Sequence, residues 1–243
     1  MKKSMRAAVV VFPGSNCDRD AYGAIRAATG VEPQYIWHKE SSVENFDLIV
    51  LPGGFSFGDY LRTGAIARYS PVMREVVRQA QRGAYILGIC NGFQILTEAD
   101  LLPGVLLRNR DLLFLSRDVH LKVENSGTAF TGEYRKGQVI RLPIAHGDGN
   151  YFIDDEGYRD LEEHGQIVLR YCAPDGSIGV SDAPNGAKGS IAGIVNKEGN
   201  VLGMMPHPER LAESVLGGED GRGMFLSLLN TIAAQAACGG RIS

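Results

Sequence analysis

The sequence predicts an α/β fold: a mostly parallel central sheet with helices on both faces, carrying an additional β-rich segment. Three observations carry that reading. The first hundred residues hold uninterrupted apolar runs, as strands buried on both faces require. Helical patterns separate those runs, so successive strands lie parallel. From about Val105 to Met205 the segments become short, β-rich and divided by turn clusters.

The elements follow in order. Ala7–Phe12 is the first buried strand and Pro13-Gly14-Ser15-Asn16 stops it. Asp18–Ala28 is a helix, with Ser15 or Asn16 expected near its N-cap. Pro33–Trp37 and Phe46–Leu51 are strands, the latter ending at Pro52-Gly53-Gly54. Pro71 opens a helix at the position that tolerates proline best. Val72, Met73, Val76, Val77 and Ala80 form its apolar stripe, and Gly83 ends it. Ala84–Ile89 is a fourth buried strand, and Asn91–Ala99 the next helix. Strands are then expected at 119–123, 139–144, 166–172, 191–195 and 201–205, the last two joined by a hairpin loop at Lys197–Asn200. Gly223–Ala237 reads as a terminal helix. No repeat or long linker interrupts the pattern, so residues 1–243 are expected to form one domain.

Composition narrows the function. The net charge of −3 supplies neither the basic excess of a nucleic-acid binder nor an acidic tail. Apolar runs fall far short of the ~20 residues of a membrane span, and the basic Met1-Lys2-Lys3-Ser4 start fits a secretory signal poorly. Cys17, Cys90, Cys172 and Cys238 show no pairing pattern, which points to free thiols and a cytoplasmic location. No His/Cys spacing suggests a metal site. Glycine is abundant, 31 of 243 residues, about 13% against a usual ~7%.

The chemistry concentrates at strand ends. In Gly88-Ile89-Cys90-Asn91-Gly92 a buried strand runs directly into a helix, with glycines two residues before and after the cysteine. This is the spacing of a nucleophile elbow, with Cys in the position usually held by Ser. The helix start aims its positive end at the sulfur and favours the thiolate. Cys17 also follows a strand but lacks flanking glycines. A nucleophilic thiol needs an oriented base. His207, between Pro206 and Pro208 at the end of an apolar strand, has Glu209 two residues on to hold its tautomer. His146, in Ala145-His146-Gly147-Asp148-Gly149, is a rival base. An oxyanion needs preorganised N–H donors, which the Gly53 or Gly54 amide could supply together with that of Asn91.

The order Pro-Gly-Gly loop, Gly-x-Cys-x-Gly elbow, His-Pro-Glu resembles the triad (class I) glutamine amidotransferases, which have a flavodoxin-like fold. Phe12–Asp18, Pro52–Arg62, Cys90-Asn91-Gly92-Phe93-Gln94, Pro143–Gly147 and Pro206–Arg210 are similar, more narrowly, to the free-standing glutaminase subunits of purine biosynthesis. The resemblance implies Cys90 as nucleophile, His207 as base and then acid, Glu209 as orienter, the Gly54 and Asn91 amides as oxyanion hole, and Gln94 as a glutamine contact. It also implies Arg108–Asn125 as the region gripping the α-groups of glutamine. Asp148 stands where Glu is expected.

The implied reaction releases ammonia from L-glutamine through a glutamyl thioester. Ammonia then passes to an ATP-dependent synthetase subunit that aminates formylglycinamide ribonucleotide. No cofactor is expected in this chain, ATP and Mg belonging to the synthetase. A small third subunit is expected to bridge the two. The alternatives are a glutaminase serving another synthetase, a partner-independent Cys hydrolase of related fold, and a regulatory subunit with an inactive site.

Overall fold

In a computed structural model of the chain, residues 5–43, 45–179 and 183–239 are described, without the side chains of residues 238 and 239; the first four residues and the thiol of Cys238 lie outside them. The strands are β1 (Ala7–Val11), β2 (Gln34–Trp37), β3 (Leu48–Leu51), β4 (Tyr85–Ile89), β5 (Val105–Leu107), β6 (Leu115–Val123), β7 (Val139–His146), β8 (Asn150–Phe152), β9 (Ile167–Cys172), β10 (Ile191–Val195) and β11 (Val201–Met204). The helices are α1 (Asp18–Thr29), α2 (Pro71–Gln81), α3 (Asn91–Glu98), α4 (Asp155–Glu163) and α5 (Arg222–Gly239).

Nine strands form one sheet in the order β2-β1-β3-β4-β11-β10-β9-β6-β7, while β5 and β8 pair separately. The half from β2 to β11 is parallel and the half from β11 to β7 antiparallel. The β-rich stretch is therefore mostly a continuation of the main sheet. Burial follows position: β3, β4 and β11 are buried at every residue, while β7 at the edge alternates. The chain moves from β1 to β2 in one direction along the sheet and from β3 to β4 in the other. Right-handed crossovers therefore put α1 and α2 on opposite faces. The terminal helix packs beside α1, burying Met224, Phe225 and Leu228.

Two local expectations are corrected. The N-cap of α1 is Cys17, and its side chain makes no capping bond. Ser15 Oγ instead accepts from the Phe12 amide at 3.1 Å, and Asn16 Oδ1 accepts from the Cys17 thiol at 3.0 Å. The helix α4 interrupts the stretch read as β-rich; its N-cap, Asp154, accepts from the Gly157 amide at 2.7 Å.

The pairing that positions the site is β4 with β11. They run parallel with Ile89 opposite Met204, so both chains leave the sheet at the same level. The Cys90 amide extends the ladder by donating to Met204 O at 2.7 Å. Gly92 lets α3 pass under β3: a Cβ there would stand 1.9 Å from Leu51 O. That neighbour is backbone in a buried strand and has nowhere to move. We expect Gly92→Ala to lose about 3 kcal/mol, seen in a thermal melt as a drop of roughly 6–12 °C. Gly23, mid-helix in α1, has no atom within 4 Å of an added Cβ. There Gly23→Ala should raise stability by up to ~1 kcal/mol.

Candidate active site

Cys90 is the residue between β4 and α3, with φ +52° and ψ −105°. A non-glycine residue held at positive φ is strained, and such strain persists only where the surroundings fix it. Here the strand pairs on one side and the helix starts on the other. Gly88 and Gly92 make the turn possible: a Cβ at Gly88 would lie 2.7 Å from Gly92 O. The sulfur is buried and donates to Ala145 O at 3.7 Å.

Three residues beyond β11, His207 is pinned between two prolines, its amide donating to Pro143 O at 2.9 Å. Nδ1 meets Glu209 Oε1 at 2.6 Å, and both side chains are almost completely buried. Glu209 reaches back because residues 208–211 form a single 3₁₀ turn. Burial alone would lower the His207 pKa, but the Glu209 carboxylate first, and then the nearby Cys90 and Cys17 sulfurs, raise it well above its ordinary value. The imidazolium is thus favoured beside a buried carboxylate. Nε2 has no hydrogen-bond partner among the described residues.

The glycine loop lies against the same ring. A Cβ on Gly53 would be 2.7 Å from His207 Cε1 and 3.0 Å from Cys17 Sγ. Gly53 O is taken by the Asn16 and Cys17 amides at 3.4 and 3.2 Å. Gly54 has φ +151°, and a Cβ there would strike the backbone of residues 14–16 at 2.8–2.9 Å. Asn91 Oδ1 accepts from the Ser56 amide at 3.1 Å, tying the glycine loop to the start of α3. Gln94 is buried and engaged by protein at both ends: Oε1 accepts from Asn91 Nδ2 at 2.9 Å, and Nε2 donates to Asp148 O at 2.6 Å.

His146 lies in the same region but in a different state. Nδ1 meets Asn109 Oδ1 at 3.1 Å, and burial, reinforced by the charge of His207, lowers its pKa to about 4. A rival base held neutral and without a carboxylate partner lacks the orienting arrangement of His207.

Two residues carry more weight than their sequence context suggests. Cys17 sits beside His207 and Glu209: its sulfur accepts from Arg210 Nη2 at 3.0 Å, and burial pushes its thiol pKa up against the pull of His207 and Arg210. Its sulfur, a His207 ring nitrogen and a Glu209 oxygen lie within 4.8 Å of one another, a donor set of the kind that suits zinc. The Arg210 guanidinium and the Nδ1–Oε1 bond already engage those groups, which makes the cluster a hydrogen-bonded ion network. Asp59 follows the glycine loop at φ +53°; burial and then the Asp148 charge raise its carboxyl pKa to about 6. Only the turn-rich run after Gly54 hinted at it. Cys172 is buried. No helix among the described residues is long and apolar enough to cross a membrane.

A thiol on a strained elbow, near an imidazole held by a buried carboxylate, is the equipment of acyl transfer through a thioester. The chain matches the CobB/CobQ-like glutamine amidotransferase domain over residues 4–218 and belongs to that family. Within it, the chain is 54% identical to phosphoribosylformylglycinamidine synthase subunit PurQ of Moorella thermoacetica, covering 93% of this chain and 96% of that protein. The Salinibacter ruber subunit of the same name is 53% identical over 96% of this chain and all of its own length. Among solved structures, the chain is similar to one in PurLQS from Thermotoga maritima, with TM-score 0.83 and 47% identity over 95% of this chain and 100% of that one. A glutamine amidotransferase from the same organism, at 16% identity and TM-score 0.55 over 98% of this chain and 86% of that one, shares the fold.

The two histidines give opposite pH signatures. The raised His207 contributes stability present below the unfolded value, near 6.5, and lost as pH rises through its folded value. His146, lowered from 6.5 to about 4, leaves stability intact above 6.5 and withdraws it as the medium is acidified through that window. The withdrawal amounts to about 3 kcal/mol. Denaturant unfolding between pH 7 and 4 should show this slope, and His146→Gln should remove it.

Proposed function

We infer that this chain is the glutaminase subunit of phosphoribosylformylglycinamidine synthase. The relatives named PurQ match it over nearly their whole length. The observation that carries the chemistry is the buried Nδ1–Oε1 contact at 2.6 Å, in a ring close enough to Cys90 for their charges to interact.

In this reading the His207 imidazolium stabilises the Cys90 thiolate. The thiolate attacks the carboxamide carbon of L-glutamine, and the carbonyl oxygen gains the negative charge. The Gly54 and Asn91 amides donate to that oxygen, with Gly53 shaping the loop; one such donor is typically worth ~3 kcal/mol. As the tetrahedral adduct collapses, His207 gives its proton to the leaving amine and ammonia departs. The glutamyl thioester remains on Cys90. His207, now neutral, takes a proton from water as hydroxide adds to the thioester, and glutamate leaves with the thiolate restored. Gln94, tied to Asn91 and to Asp148, holds the wall against which glutamine binds.

Ammonia is used by a partner. The chain acts with an ATP-dependent synthetase subunit, which holds ATP and Mg, and with a small bridging subunit. A surface suited to a partner adjoins the glycine loop. Leu61, Leu112, Leu113 and Phe114 are more than half exposed. Phe55, next to Gly54, stacks on Phe114 with ring centroids 6.4 Å apart. Apolar side chains exposed on adjoining loops mark an interaction site.

In the reconstituted complex, Cys90→Ser should abolish glutamine-dependent amination and leave ammonia-dependent amination intact; loss of both, or of neither, would sink this reading. Glu209→Gln should lower glutamine turnover on the order of 10³-fold, because the amide cannot stabilise the imidazolium. The isolated chain should hydrolyse glutamine slowly and accelerate on adding synthetase. Phe114→Glu should weaken that acceleration in a titration with synthetase.

A further inference from the structure

We propose that Asn109 is a positioning residue for glutamine turnover: it clamps the Ala145–Gly149 loop against Cys90 and Gln94 and dictates which ring nitrogen of His146 carries the proton. The proposal rests on the glutaminase reading.

Asn109 is 1% exposed and makes four hydrogen bonds to that loop. Its amide donates to Gly147 O at 2.8 Å, and Nδ2 donates to His146 O at 2.9 Å. Oδ1 receives the Gly149 amide at 3.0 Å and meets His146 Nδ1 at 3.1 Å. Both Nδ2 protons are spoken for, because the second goes to Leu113 O at 2.8 Å. Oδ1 is therefore an acceptor only, and the proton between it and His146 must sit on Nδ1. Nε2 is left as a bare lone pair, buried and without a partner among the described residues.

The ring is packed closely on the backbone of the same loop. It lies against Gly149, where a Cβ would come within 2.2–2.6 Å of three ring atoms. It does not gain a second proton near neutral pH, since burial and the charge of His207 keep it neutral. The same loop makes two contacts with the reacting centre: Ala145 O with the Cys90 sulfur, and Asp148 O with Gln94 Nε2. Among the hydrogen bonds of Asn109 none goes to Cys90 or Gln94, so it acts through the loop. Only a carboxamide offers two donors and an acceptor at one side-chain tip. Aspartate would keep the acceptor, lose both donors and set a negative charge beside His146. Leucine would keep the size and lose all three.

The test uses the reconstituted complex. Asn109→Leu should cut kcat/KM for glutamine about 100-fold, the cost of misplacing a reacting group by an ångström or so. Asn109→Asp should lose less at pH 8 and gain a new acid limb in its pH profile, because the carboxylate raises the His146 pKa. Ammonia-dependent amination should be unchanged in both. Nitrogen NMR of histidine-labelled wild type, with the His146 signals identified as those lost in His146→Gln, should show Nδ1 protonated and Nε2 bare. An Nε2–H tautomer overturns the proposal. So do variants whose kcat/KM stays within twofold of wild type with no new acid limb. If Asn109→Leu does not fold, Asn109→Asp and the tautomer measurement decide the question. Wild-type complex that aminates from ammonia but not from glutamine refutes the glutaminase reading instead, and the tautomer still tests the hydrogen-bond assignment.

Discussion

Parallel pairing of β4 with β11 is the constraint on which the site depends. The two strands are separated by more than a hundred residues, yet their ends are level, with Ile89 beside Met204. Cys90 follows one end immediately, and His207 follows the other by three residues. A slip of one residue would turn every side chain of β11 to the opposite face. It would also separate the thiol from the imidazole. The register is held by complete burial of both strands and by close packing of Phe93 over Gly203, where a Cβ would lie 2.1 Å from the ring.

Around that pairing, charge is placed where water is excluded. A carboxylate as buried as Glu209 costs much free energy unless it is paired, and His207 provides the pairing at 2.6 Å. The cost of desolvating each partner is offset by the other, so the imidazole keeps its proton. His146, similarly buried, has a neutral amide for its partner and is pushed in the opposite direction. The two histidines are thus pushed in opposite directions: a carboxylate raises one, and burial beside its charge lowers the other.

The loops that finish the site are built on close backbone approach. Gly53 lies against the imidazole and Cys17, Gly54 against residues 14–16, and Gly149 against His146. Part of the glycine excess serves such contacts. These loops are connected: Asn91 holds Ser56, Gln94 holds Asp148, and Asn109 holds residues 146–149. The three loops are therefore one hydrogen-bonded unit anchored to the start of α3.

Read as a linear chain, the protein reveals its local features. Apolar runs locate β1, β3, β4, β10 and β11 to within a residue or two, because strands buried on both faces allow little polar interruption. Gly-x-Cys-x-Gly and Pro-His-Pro-Glu are legible for the same reason: each is a short-range steric or proline constraint. The N-cap of α1 is not, since Ser15 and Asn16 turn to other partners once the glycine loop packs beside them. Helix α4 is masked by its polar composition; only Leu161 is buried in it. Three features emerge only in the folded molecule: the β-rich stretch extends the main sheet, Cys17 lies beside His207 and Glu209, and Asn109 hydrogen-bonds to His146. Each is a contact between distant segments, where pairing depends on which surfaces remain unburied after the local elements have formed.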